Sequence, residues 1–200
     1  MEGYKEEAKA AFERVKTMLN EDGWTPVEHK AAADIKAWKR SLPGKSVEVV
    51  KATGVVDGVQ PGELNDKVFN QPYEEKKKAD DSFIAEELLE TVDDNSKILY
   101  QAYSAPWPVS NRDLVLLRSK WEEDGVHYQV DISTKHASKP DPVGSNVRAD
   151  LIGCYRYAPH DKGTEATYMV FMDPMGNIPG FVVNANVGKV PARVEAFRKM

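Results

Sequence analysis

Residues 104–118, SAPWPVSNRDLVLLR, decide how the rest of this chain is read. Pro106 and Pro108 flank Trp107, and proline fixes φ and removes a backbone donor, so this part is a stiff loop that displays one large ring. Leu114-Val115-Leu116-Leu117 then has the length and composition of a buried strand. Arg118 closes that apolar run. A guanidinium among buried strand positions keeps its charge and needs an acceptor: a carboxylate, backbone carbonyls, water, or the polar end of a ligand.

Working outward, strands follow on both sides. Period-two or β-branched runs predict strands over 83–92, 97–104, 113–121, 126–135, 146–158 and 165–173. Asp93-Asp94-Asn95, Asp124-Gly125, Pro140-Asp141-Pro142 and Asp161-Lys162-Gly163 supply the turns between them. Connections this short make neighbouring strands antiparallel, because a parallel crossover needs a dozen residues or more. Towards the N-terminus, Ala33, Ile35 and Ala37 alternate with charged residues around 34–40, and a β-branched run spans 47–56. Residues 4–20 carry Tyr4, Ala8, Ala11, Phe12, Val15, Met18 and Leu19 at helical spacing, and Trp24 plugs the junction between this helix and the sheet. Residues 60–81 are helical again, with Leu64, Val68 and Phe69 on one face. At the C-terminal end Asn177 is a helix cap, Pro179 suits a first turn, and Ile178, Phe181, Val182 and Ala185 form one apolar stripe. Gly188 and Pro191 are expected to weaken or bend that helix. The order predicts an α+β fold: a long curved antiparallel sheet gripping a C-terminal helix, with residues 1–200 as one domain.

Composition narrows the function. Two hundred residues bury a core without disulfides, and the single Cys154 is expected to be a buried strand hydrophobe in a reducing compartment. A net charge of −5 with no basic stripe argues against nucleic acid. No apolar stretch is long enough to span a bilayer, and MEGYKEEAKA lacks a signal-peptide pattern, so a cytoplasmic monomer is expected. His29, His127, His136 and His160 are scattered without metal-ligand spacing, and no Gly-x-Ser-x-Gly elbow or phosphate-binding glycine loop occurs. Neither a metal nor a cofactor is expected, and catalysis is not. His127 with Asp131 on one strand face is the only acid–base pairing the pattern offers.

The segment from the proline loop to Arg118 resembles the START family (steroidogenic-acute-regulatory-related lipid transfer). Arg112-Asp113, the strand after them and Arg118 five residues after the aspartate occupy the family's positions. Trp24, the strand around 34–40, Asp173-Pro174-Met175-Gly176-Asn177-Ile178-Pro179 and the final helix fall in family order, so the resemblance covers roughly residues 5–200. It implies a helix-grip fold whose internal hydrophobic tunnel holds one lipid, gated by loops 104–111 and 173–179 and by the C-terminal helix. Transient contact with a membrane surface follows from such a role. Trp107 has two readings: insertion at a membrane interface, where indole is favoured, or packing on the helix.

For the ligand, Arg118 is expected at the polar end and Leu114, Leu116, Met169, Phe171, Phe181, Val182 and Ala185 along the apolar lining, with Leu99, Gln101, Tyr103, Trp107 and Tyr155 also expected to contact it. Arg112 and Asp113 are expected to be structural. In sterol-binding members the matching arginine pairs with an acidic residue one strand earlier. Counting back without gaps reaches Leu99, beside Tyr100 and Gln101, none of them acidic, so Arg118 is expected to face a phosphate or carboxylate. The Pro-x-Pro-x-Ser-Asn-Arg-Asp wording is closest to the phosphatidylcholine-transfer branch, which makes phospholipid the favoured ligand. Lys76 and Asp80 match charged head-group positions of that branch, although Ala79 stands where the branch has a tryptophan, or else they form a plain surface i,i+4 pair. Tyr103, Tyr128, Tyr155 and Tyr157 could cage a choline, or serve only as strand residues. The alternatives are a sterol- or fatty-acid-binding sensor and, further off, a helix-grip cyclase or hydrolase.

Overall fold

The computed structural model describes residues 2–176, 178 and 187–200. Helix α1 (Glu2–Asn20) leads into short strand β1 (Thr25–Pro26), then β2 (Lys36–Ser41) and β3 (Glu48–Asp57). Helices α2 (Pro61–Phe69) and α3 (Tyr73–Ala79) interrupt the sheet before β4 (Phe83–Asp93), β5 (Ser96–Tyr103), β6 (Arg112–Glu123) and β7 (Val126–Ser133). Strands β8 (Val147–Arg148), β9 (Asp150–His160) and β10 (Gly163–Asp173) precede helix α4 (Lys189–Ala196), which ends in a 3-10 turn at Phe197–Lys199. The sheet runs β1-β2-β3-β10-β9-β7-β6-β5-β4, and every neighbour on that path is antiparallel. This is the helix-grip arrangement.

Side-chain alternation gives the sheet two different apolar faces. On one, Val115 and Leu117 of β6, Val130 of β7, Cys154 of β9 and Met169 and Phe171 of β10 pack with Ala8, Phe12 and Val15 of α1. Phe12 stacks on Trp121 at 4.9 Å and meets Tyr128 edge-on at 5.2 Å, which anchors the helix. Trp24 packs against the same cluster, with the Lys51 ammonium 4.0 Å from its ring. On the other face, Val50, Ala52 and Val56 of β3, Tyr155 and Tyr157 of β9 and Ala166 of β10 pack with Leu64 and Val68 of α2 and Val190, Val194 and Phe197 at the C-terminal end. Gly54 permits this close approach: a Cβ there would lie 3.1 Å from both Ile35 Cγ1 and Val194 Cγ1.

Three local expectations change. The helical stretch 60–81 divides at Gln71-Pro72, because Pro72 has no N–H to extend α2. The strand expected over 146–158 breaks after Arg148, and the two-residue β8 lies parallel to β6 as a side pairing. The weakening expected at Gly188 and Pro191 falls at the start of α4: Val187-Gly188 is a turn, the helix begins at Lys189, and Pro191 is its third residue, where an N–H has no intrahelical acceptor to lose. The capping role of Asn177, the placement of Pro179 and the stripe of Phe181, Val182 and Ala185 lie outside the described residues.

Candidate functional site

Between the second face of the sheet and α3 and α4 lies a cavity of about 720 Å³. Its strand lining has one parity: Leu114, Leu116 and Arg118 of β6, Gln129 and Asp131 of β7, Gly153 and Tyr155 of β9, and Tyr168, Val170 and Met172 of β10. Lys76, Asp80, Val190 and Arg193 close it from the helices, and Pro106, Val109, Pro174 and Ile178 belong to the two loops expected to gate it.

Buried ion pairs line part of this space. Arg118 donates Nε to Asp131 Oδ1 at 2.8 Å and Nη2 to Oδ2 at 2.7 Å, a two-pronged pair whose side chains are only 6% and 7% exposed. Burial opposes the guanidinium's charge, and Asp131 more than restores it. Beside them, Lys76 Nζ donates to both oxygens of Glu86 at 2.8 Å, and Gln101 Nε2 donates to Glu86 Oε2 at 2.6 Å. Burial, and then repulsion from Arg118, push the Lys76 ammonium down to about 8. Tyr103 donates its hydroxyl to Gln101 Oε1 at 3.1 Å, and burial drives that hydroxyl's pKa up. Gln129 Nε2 approaches Asp131 at 3.3 and 3.4 Å, which leaves Gln129 Oε1 buried without a partner.

The mouth is tied rather than open-hinged. Arg112 donates Nε to the Pro174 carbonyl at 2.8 Å and Nη2 to Met175 at 3.0 Å, and also reaches the Ser110 carbonyl, so one guanidinium binds both loops. Asp113 accepts from Arg148 at 2.7 Å. On the opposite rim, Lys189 at the start of α4 reaches Asp80 at 3.1 Å and Ser82 at 3.1 Å. Burial works against the Asp80 charge, but Ser82 and Lys189 hold its carboxyl below the usual value. Trp107 stands 92% exposed on its loop.

Several expected lining residues lie elsewhere. Met169 and Phe171 have the opposite parity to Tyr168 and Val170, and they pack in the α1 cluster. Leu99 is buried but lies off the cavity lining, whereas Gln101 and Tyr103 further along β5 are on it. Of the four tyrosines read as a possible cage, Tyr103 and Tyr155 line the cavity. Tyr128 packs against α1, and Tyr157 is fully buried in the core. Tyr168, stacked on Tyr155 at 4.4 Å, lines it instead. Lys76 and Asp80 both face the cavity without pairing to each other, because α3 ends at Ala79 and each takes a separate partner. The acidic partner of Arg118 is on the following strand, not the preceding one. That signal was legible: the two-residue Asp124-Gly125 turn sets Arg118 opposite Asp131 by register. Phe181, Val182 and Ala185 lie outside the described residues.

The START domain family model matches residues 4–194. Human START domain-containing protein 10 is 33% identical over 168 residues, which are 82% of this chain and 56% of that protein. The chain therefore spans little more than half the length of the curated relatives it matches. Among solved structures, a STAR-related lipid transfer protein from Xanthomonas axonopodis is 26% identical with a TM-score of 0.72, covering 89% of this chain and 98% of that one. Human StAR-related lipid transfer protein 5 shares the fold at a TM-score of 0.82 and 18% identity, covering 99% and 97% of the two chains.

Proposed function

The chain belongs to the START domain family, and from that premise we propose that it carries one lipid between membranes, with its tail in the cavity beneath α4. The observation that carries this reading is the cavity itself: about 720 Å³, apolar along Leu114, Leu116, Val170 and Met172, with ion-paired side chains elsewhere in its lining. That volume is in the range of small-molecule sites, which combine an apolar lining with a few placed polar groups. The physics of transfer needs no bond chemistry. Exposing an acyl chain to water costs about 0.8 kcal/mol per CH₂, so a sixteen-carbon chain costs roughly 12 kcal/mol, and a carrier that reburies it removes most of that barrier.

Phospholipid is the favoured cargo, supported by the wording of residues 106–113 and by cationic side chains at the cavity. A sterol or fatty acid is the second reading, and for the sterol the neutralised Arg118–Asp131 pair is the supporting feature, since it can hydrogen-bond a hydroxyl without demanding a charge. Loops 104–111 and 173–179 and the C-terminal helix act as the gate, with Arg112 tying Ser110 to Pro174 and Met175. Trp107 meets the membrane surface, in keeping with its exposure. No helix among the described residues is long and apolar enough to cross a membrane, and the protein acts from the cytoplasm as a monomer. A catalytic reading has little support in the geometry: Asp131 is committed to Arg118, and His127 instead lies 4.0 Å from Glu122.

Native mass spectrometry of the purified protein, followed by solvent extraction, tests cargo. A vesicle-to-vesicle assay with fluorescent lipid tests transfer. One lipid per chain and turnover of many lipids per protein are the expected results. Binding without turnover would make the protein a sensor, and no binding of any lipid would remove the carrier reading.

A further inference from the structure

We infer that the anionic oxygen group of the bound lipid is held by Arg193 of α4, and not by Arg118; this rests on the carrier reading above. Five cationic side chains line the cavity: Lys76, Arg112, Arg118, Lys189 and Arg193. Four already have acceptors that answer their charge or exhaust much of their hydrogen bonding. Lys76 has Glu86, Arg118 has Asp131, Lys189 has Asp80, and Arg112 has three backbone carbonyls. Arg193 differs. Among the described residues its side-chain acceptors are neutral, Gln71 Oε1 at 2.9 Å and the Tyr155 hydroxyl, and its guanidinium lies 5.8 and 5.3 Å from the ring centres of Tyr155 and Phe197.

Among the described residues no carboxylate pairs with Arg193, and residues 177 and 179–186 contain neither Asp nor Glu. A guanidinium carries five N–H donors, and among the described residues none of those on Arg193 meets a charged acceptor. Tyr155 beneath it stacks on Tyr168, and the Tyr157 and Tyr168 side chains are buried hard enough to drive both hydroxyl pKa values up. A charge left there without a counter-ion is costly, and an entering anion relieves that cost while gaining charge-assisted bonds. Arg118 offers no such gain. An anion placed against it would also approach the Asp131 carboxylate, which already takes its Nε and an Nη2 N–H and neutralises its charge.

The site also has a second polar feature. Gln129 faces Tyr155 across the β7–β9 register, and its Oε1, buried without a partner, accepts and so would take a hydroxyl or N–H of the ligand and not its anionic oxygens. Arg193 and Gln129 therefore flank the same tyrosine from the helix and the sheet. The ligand class is an amphiphile with one anionic oxygen group, either a phosphodiester or a carboxylate, rather than an uncharged sterol.

The test compares the wild type, Arg193→Gln and Arg193→Lys by fluorescence titration and native mass spectrometry. The probes are dioleoylphosphatidylcholine vesicles, oleate and cholesterol. The wild type should take up phosphatidylcholine or oleate, and which of them identifies the phosphodiester or the carboxylate. Arg193→Gln should weaken that uptake roughly tenfold to a hundredfold, as expected for one charged hydrogen-bonding contact. Arg193→Lys should restore part of it, and thermal midpoints should stay together. Full uptake by Arg193→Gln overturns the inference, as does a wild type that takes up cholesterol alone. A loss accompanied by a lowered midpoint in both variants, with no rescue by lysine, also overturns it and leaves Arg193 as a clamp on Gln71. A wild type that binds none of the three removes the carrier reading itself.

Discussion

Asp131→Asn should be among the most destabilising single-atom-scale changes in this protein. The substitution keeps the shape of the side chain and removes its charge, leaving Arg118 charged and buried. Both partners are more than nine-tenths shielded, so solvent screening does little to soften the effect. Breaking one partner of a buried pair typically costs 3–5 kcal/mol. At about 2–4 °C per kcal/mol for a chain of this size, the midpoint should fall by roughly 6–20 °C. Lys76, already opposed by Arg118, would feel a guanidinium no longer neutralised and would add to the loss. Urea denaturation followed by tryptophan fluorescence measures it, with Asp66→Asn as the internal standard. Asp66 pairs with Lys120 at 2.7 Å but is 62% exposed, so its loss should register under about 1 kcal/mol. The double variant Arg118→Met with Asp131→Leu should recover most of the stability, since apolar replacement of a buried pair is often neutral or better. An Asp131→Asn loss no larger than that of Asp66→Asn would refute the reasoning. So would a double variant as unstable as the single one. The same argument governs Arg118→Leu: alone it strands a buried carboxylate, so reduced lipid loading by that variant would report misfolding as much as lost contact.

The remaining expectations are narrower. The Lys76 ammonium titrates near 8 in the fold and near 10.5 when unfolded, so the unfolded chain binds more protons between those values. Stability should rise with pH from about 8 towards 10 and be flat below; Lys76→Met should remove that rise in a pH series of urea midpoints, and an unchanged slope would count against the buried setting of Lys76. Met169→Ala should cost about 2–5 kcal/mol through a cavity beside α1 while lipid uptake by the folded protein stays the same; altered lipid selectivity would place Met169 on the wrong face here. Trp107→Ala should slow vesicle-to-vesicle transfer several-fold with little change in equilibrium binding, and equal losses in both would argue against membrane contact.

What could be read in advance follows from the range of the physics. The strands of residues 83–173, the amphipathic α1 and the family resemblance were all legible, because alternation, helical spacing and turn chemistry act over a few residues. Arg118 was legible as a buried charge in need of an acceptor. Its partner was too, through the Asp124-Gly125 hairpin, but counting towards β5 instead of β7 missed it. Counting along β4 would not have found Glu86 opposite Gln101, because bulges between Leu88 and Glu90 and between Thr91 and Asp93 shift the register.

By itself, then, the sequence determined the strand content, the antiparallel connections, the family and the presence of a charge inside the sheet. Only the tertiary structure decided which side of that sheet is hollow. Both faces are apolar, so Met169 and Phe171 looked as suitable for a lining as Val170 and Met172, and period-two alternation separates the faces without saying which one a helix fills. The same holds for the polar site. Lys76 meets Glu86 and Arg193 meets Gln71 only when α3 and α4 are laid over the strands. Those contacts depend on packing across the whole chain, which no local pattern encodes.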